Sequence, residues 1–222
     1  MKSLSLVIPA YKAEGLLERI LSHVPTLADV AAKVGFQLIE TIVVDDGNVP
    51  AIDASRFANI QVGSLTVLRN DRNRGKGFSV KRGALCAKGD YVLMSDADES
   101  VPLSEFAALA RHPDYALVCG CRRTSPDSRP PIRRILSRLF SILTGTTLKD
   151  TQCGFKLFNM SQMRKPLTEL KTERFAFDVE LIRNAPSVIS ECVEWHGGRR
   201  SSLRVWKDAP RMLWDLVKIR LS

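Results

Sequence analysis

Apolar residues in this chain fall in short runs that alternate with stretches of helical spacing. Leu4 to Ile8 is a strand-like run closed by Pro9-Ala10-Tyr11. After Ala13, the positions of Leu16, Leu17, Ile20, Leu21 and Val24 share one helical face, and the pattern predicts that this helix ends at Pro25. Leu38 to Val44 is the second strand, and Leu65 to Leu68 the third. Gly75-Lys76-Gly77 then opens a helix with Val80, Ala84 and Leu85 on its inner face. Tyr91 to Met94 is the fourth strand, Pro102 to Ala110 a short helix, and Tyr115 to Cys119 the fifth strand. Strands alternating with helices indicate βαβ units, so the expected fold class is α/β, a mostly parallel sheet flanked by helices. With 222 residues, of which 45% are hydrophobic, one domain spanning residues 1–222 is expected.

Three of these strands end in unusual chemistry: Pro9-Tyr11, Asp45-Asp46-Gly47 and Asp96-Ala97-Asp98. In a parallel sheet those ends lie along one edge, where open α/β sheets bind ligands. Asp-x-Asp alone is a short pattern that also fits a solvated acidic turn. Paired carboxylates at a crevice, however, need a cation to offset their repulsion, and their hard oxygens suit Mg²⁺ or Mn²⁺. Gly75-Lys76-Gly77 adds a cation at a helix N-terminus, a geometry that suits phosphate, although the loop lacks the spacing of a Walker motif. Read alone, it is also an ordinary helix-initiating loop.

Charge changes the picture at two places. Residues 122–138 carry six Arg against one Asp, and residues 199–222 carry seven Lys or Arg against two acids. Each segment contributes +5 of the formal +9, which leaves a body near −1. Both segments are amphipathic at helical spacing, through Ile132, Ile135, Leu136, Leu139, Phe140 and Leu143 in the first, and Met212, Leu213, Leu216 and Val217 in the second. Each fits a helix packed on the domain or one lying on an anionic membrane surface. No helix-turn-helix, zinc-finger or RNP-type signature accompanies the charge, so nucleic acid is not the expected partner. The five cysteines lack Cys-x-x-Cys spacing and read as reduced thiols of a cytoplasmic protein. No signal peptide is expected ahead of Leu4, and no stretch reaches the roughly 18 apolar residues of a spanning helix, so membrane contact would be peripheral.

Ser5-Leu6-Val7-Ile8-Pro9-Ala10-Tyr11, Val43-Val44-Asp45-Asp46-Gly47, Asn73-Arg74-Gly75-Lys76-Gly77 and Ser95-Asp96-Ala97-Asp98, in this order, resemble the GT-A glycosyltransferases of family 2. Asp150-Thr151-Gln152-Cys153-Gly154-Phe155-Lys156-Leu157-Phe158 and Phe175-Ala176-Phe177-Asp178-Val179-Glu180-Leu181 narrow the resemblance to the dolichyl-phosphate glucosyltransferase branch, kin of the polyprenyl-phosphate mannosyltransferases. The resemblance runs from the first strand to Trp195.

It implies a GT-A, Rossmann-like fold and an inverting hexosyl transfer onto a polyprenyl or dolichyl phosphate at the membrane surface. UDP-glucose is the favoured donor and GDP-mannose the alternative. It further implies that Pro9, Tyr11, Asp45 and Asp46 hold the nucleotide, that Arg74 and Lys76 lie beside it, and that Asp96 and Asp98 take ribose and metal. His196 is a candidate third metal ligand, whereas His23 and His112 read as bystanders. Similar enzymes often have Asn-Glu after the tyrosine, and here Lys12-Ala13-Glu14 follows, so either Glu14 replaces the acid or base recognition differs.

The resemblance also implies that Arg122 and one of Arg133 or Arg134 face the acceptor phosphate, and Arg is suited to bidentate phosphate contact. Asp150 is the first candidate to contact sugar or acceptor, or else it bonds its own turn. Asp178 is equally a helix cap. A soluble hydroxyl acceptor, a nucleotidyltransferase and a non-catalytic membrane-surface protein are the alternatives.

Overall fold

The computed structural model describes residues 1–13, 15–57, 63–122, 148, 150–174 and 176–196. Glu14, Arg133, Arg134 and almost all of the two basic segments at 122–145 and 199–222 lie outside the described residues.

These residues form a seven-stranded sheet: β1 (Lys2–Ala10), β2 (Phe36–Asp45), β3 (Ser64–Arg69), β4 (Tyr91–Ser95), β5 (Leu117–Arg122), β6 (Phe155–Asn159) and β7 (Val188–Val193). The spatial order is β3-β2-β1-β4-β6-β5-β7. All pairs are parallel except those of β6, which runs antiparallel to both β4 and β5. The fold class is therefore the expected one.

The sheet splits the core in two, because successive strand residues point to opposite faces. Leu6, Ile8 and Leu93 face one side with Leu17, Ile20, Phe36 and Phe106, while Val7, Val92 and Met94 face the other with Val80, Phe158 and Leu181. Burial on both faces explains why β1, β2 and β4 are nearly continuous apolar runs. Helices α1 (Leu16–Ser22), α2 (Val24–Lys33) and α4 (Phe106–Leu109) supply the first cluster. Helices α3 (Lys76–Cys86), α5 (Met160–Glu169) and α6 (Phe177–Asn184) supply the second.

Three expectations are corrected. Pro25 does not end the first helix; α1 stops at Ser22 and Pro25 sits in the first turn of α2, where its missing N–H removes no helical bond. The fifth strand is shifted to Leu117–Arg122, which carries Arg122 to the sheet edge. Asp178 is no cap: α6 begins at Phe177, and Asp178 is a buried residue of its first turn. Among the described residues no helix is long and apolar enough to cross a membrane.

Candidate active site

Parallel pairing brings Ala10, Asp45, Arg69, Ser95, Arg122 and Val193 to one edge as strand C-termini, with the antiparallel β6 entering there at Phe155 opposite Ser95. The candidate residues assemble along this edge.

Asp46 organises the loop from Asn70 to Gly75. Its backbone N–H donates to Ala10 O at 3.0 Å, and its carboxylate accepts from the N–H of Arg74 and of Gly75, both at 2.9 Å, and from Asn70 Nδ2 at 2.8 Å. Gly75 has φ +105° and a Cβ there would lie 2.7 Å from Glu173 O, so the loop requires glycine. Lys76, the first residue of α3, then reaches Asp96 Oδ1 with Nζ at 2.6 Å. Arg74 lies with its guanidinium 4.0 Å from the Phe78 ring centre and pairs with Glu173.

Asp45 is directed inward. It is 0% exposed, and its oxygens accept from Asn48 N (2.8 Å), Asn48 Nδ2 (2.6 Å), Ile52 N (3.1 Å) and Arg69 Nη1 (3.0 Å). With four donors satisfied, this carboxylate holds the 46–52 loop in shape, and it can meet a nucleotide only by releasing one of them. Pro9 lies within β1 opposite Val44, and beyond its end Tyr11 is 46% exposed at the edge.

The Asp96–Asp98 turn is pinned from several sides. Asp96 N–H donates to Gly154 O at 3.1 Å, and its carboxylate rests so close to Gly154 that a Cβ there would lie 1.8 Å from Oδ2. Asp98 Oδ1 accepts from Ser100 N at 3.1 Å. Glu99 adopts φ +48°, donates its N–H to Asp96 O at 3.0 Å, and is 5% exposed. Its carboxylate takes His23 Nδ1 at 2.7 and 2.8 Å and lies 3.5 Å from Arg19 Nε. His23, expected as a bystander, thus holds the turn; His112 instead pairs with Glu191.

The expected set of Asp96, Asp98 and His196 is not gathered here. Among the described residues no three Asp, Glu, His or Cys side chains converge as cation ligands. Asp96 is engaged by Lys76, and His196 donates its N–H to Ser100 O (2.9 Å) and lines a cavity of about 330 Å³ with Arg19, His23, Glu99 and Ser104. The two aspartates still fit a divalent ion held mainly by substrate. Mg²⁺ and Mn²⁺ suit one or two carboxylates completed by phosphate oxygens and water, and the ammonium on Asp96 marks a place where positive charge is already accommodated.

At the end of β5, Arg122 forms a fork with Asp150, Nε to Oδ2 at 2.6 Å and Nη2 to Oδ1 at 2.8 Å. Asp150 is 4% exposed, so it orients Arg122 from below rather than presenting a free carboxylate to sugar. Although burial works against the charge, this pair holds the Arg122 guanidinium above its ordinary range, and the group also lies 5.7 Å from the Trp195 ring centre. A feature that sequence reasoning missed is the buried ion pair of Lys156 and Asp178 at 2.8 Å. A lysine inside the otherwise apolar Phe155-Lys156-Leu157-Phe158 was the available signal. Burial pushes the Cys119 thiol up to about 12 and the Cys153 thiol up to about 11, so neither is a nucleophile near neutrality.

The sequence model of Glycosyl transferase family 2 matches residues 5–170. The chain is 33% identical to the dolichyl-phosphate beta-glucosyltransferase of Dictyostelium discoideum, covering 98% of this chain and 73% of that protein. It is 30% identical to the dolichyl-phosphate beta-glucosyltransferase of Homo sapiens, covering 99% of this chain and 75% of that protein. Among solved structures it is similar to glucosyl-3-phosphoglycerate synthase from Mycobacterium tuberculosis in complex with Mn²⁺, UDP-glucose and phosphoglyceric acid, at TM-score 0.65 and 16% identity over 99% of this chain and 79% of that one. At that identity the likeness speaks for the fold.

Proposed function

This chain belongs to glycosyl transferase family 2, and we propose that it moves glucose from UDP-glucose onto a polyprenyl or dolichyl phosphate at a membrane surface. Family membership removes the nucleotidyltransferase and the non-catalytic binding protein as readings. The observation that carries the proposal is the meeting, on one sheet edge, of Lys76–Asp96 with the Arg122–Asp150 fork, a donor half and an acceptor half joined by the turn from Asp150 to Gly154.

In the donor half, the exposed Tyr11 ring offers a stacking face to a base, and the Asp45-shaped loop forms the wall beside it. Lys76 at the start of α3 and Arg74 just before it place positive charge toward a diphosphate. A divalent cation held by Asp96 and Asp98, when bound, supplies the charge that stabilises the departing nucleoside diphosphate.

In the acceptor half, Arg122 directs its guanidinium at the lipid phosphate, with Asp150 fixing the plane of the fork. That phosphate is already an anionic nucleophile, so the protein needs to position it rather than remove a proton. A phosphate oxygen bonds to the anomeric carbon as the bond from that carbon to the diphosphate oxygen breaks, with inversion.

The test is nucleotide release by the purified protein with Mn²⁺ or Mg²⁺, comparing UDP-glucose with GDP-mannose, with and without polyprenyl phosphate. Release from UDP-glucose that depends on lipid phosphate supports the reading. Release from GDP-mannose alone would replace the donor, and lipid-independent release would replace the acceptor.

A further inference from the structure

Lys156 on β6 is 0% exposed and stands in register with Met94 of β4 and Cys119 of β5. Its ammonium makes three contacts: it donates to Thr151 O at 3.3 Å and to Cys153 O, and it forms an ion pair with Asp178 Oδ1 at 2.8 Å, an oxygen that accepts no well-aligned hydrogen bond. Two of these belong to the turn between Asp150 and Gly154, the third to the first turn of α6.

Each anchor leads to a different part of the site. At one end of the turn Asp150 forks Arg122. At its other end Gly154 accepts from Asp96 N–H and lies under the Asp96 carboxylate. In α6, Phe177 precedes Asp178, presses on Gly77 so closely that a Cβ there would lie 2.6 Å from Phe177 Cβ, and lies under Lys76, with Nζ 5.9 Å from its ring centre.

We infer that the buried Lys156–Asp178 pair is a positioning device that sets the donor and acceptor halves of the site together, fixing Asp96 and Lys76 on one side and Arg122 on the other. This rests on the transferase reading above. Lys156 keeps its proton beyond the ordinary lysine range although burial opposes it, because Asp178 faces it. An apolar pair of similar volume would fill the same space without desolvating two ions, and is often as stable. It would not direct the carbonyls of Thr151 and Cys153, and direction is what the turn needs to hold Asp150 and Gly154 in place.

The experiment begins with the unaltered protein, whose binding of UDP with Mn²⁺ is measured by calorimetry. Absence of binding would overturn the UDP-glucose donor on which this inference rests, so the two failures are distinguishable. Two variants follow, the apolar double replacement Lys156→Met with Asp178→Leu, and Asp178→Asn alone, each checked for folding by thermal unfolding. In a folded variant we expect UDP–Mn²⁺ binding about 10-fold weaker and KM for polyprenyl phosphate about 10-fold higher, with kcat down on the order of 10²-fold, since a small misplacement of reacting groups has such effects. A folded variant with both constants within about twofold of wild type, or with only one of them changed, overturns the inference. If neither variant folds, hydrogen exchange on the unaltered protein decides. UDP with Mn²⁺ should then slow exchange in residues 150–156 and 177–184 together with residues 94–98, and slowing confined to residues 94–98 overturns the joint role.

Discussion

The Lys76 ammonium stands 2.6 Å from Asp96 Oδ1, across the edge where the Gly-Lys loop meets the fourth strand. This contact joins the two sequence motifs that a diphosphate would touch, and it gives Asp96 a cation of its own. Lys76→Met should lower kcat/KM by roughly 10² to 10³, the size found when one stabilising donor is removed from a reaction centre. Steady-state kinetics with saturating Mn²⁺ checks it; a loss below about threefold would assign the ammonium to holding Asp96 only.

Gly154 is the seat of the Asp96 carboxylate, since a Cβ there would lie 1.8 Å from Oδ2. Gly154→Ala should displace Asp96, reducing kcat by about 10²-fold while costing about 1–3 kcal/mol of stability. Denaturant titration alongside kinetics separates the two effects, and unchanged kcat would mean that the exact place of Asp96 is unimportant.

Asp45 satisfies four donors within the fold. Asp45→Asn should therefore cost about 2 kcal/mol in urea unfolding, because hydrogen bonds to a charged group are lost and amide protons meet N–H groups. A neutral effect on stability, with KM for the nucleotide sugar raised, would return Asp45 to direct ligand contact.

Arg122 owes its orientation to the Asp150 fork. Arg122→Lys keeps the charge but loses the planar geometry, and should raise KM for polyprenyl phosphate about 10-fold with little effect on KM for UDP-glucose. Equal effects on both would remove Arg122 from the acceptor half.

The pH prediction follows from the buried thiols. Cys119 is raised to about 12 and Cys153 to about 11 by burial, against roughly 8.5 for an unfolded cysteine, so the folded state binds these protons more tightly. Their contribution is fully present below about pH 8.5 and is lost as pH rises toward the folded values, a range in which Lys156 acts with the same sign. Unfolding free energy should fall between about pH 9 and 11, and Cys119→Ala should flatten part of that slope; a slope unaltered by the substitution would contradict it.

Much of this was legible in the chain. Strands β1, β2 and β4 are buried on both faces and so read as apolar runs, and the acids at the ends of β2 and β4 mark the edge where open α/β sheets bind ligands. Strand β6 was read as a motif rather than a strand because Lys156 interrupts its apolar pattern, and a charge can lie in a core only where a partner such as Asp178 meets it. Pairings between distant segments were equally hidden. His23 reaches Glu99 from the junction of α1 and α2, and Arg122 meets Asp150 across a long stretch of chain, so neither spacing nor periodicity announces them. Pro25 misled because the same residue that stops one helix opens the next.

The central claim is glucose transfer to a lipid phosphate, and its most direct measurement is the passage of radiolabelled glucose from UDP-glucose into an organic-solvent-soluble product. The label should enter that phase only when polyprenyl phosphate and a divalent cation are present, not with the matching polyprenol, and Asp98→Asn should reduce it by about 100-fold or more. Label that stays in the aqueous phase, or that enters the lipid equally with the unphosphorylated alcohol, would contradict the account.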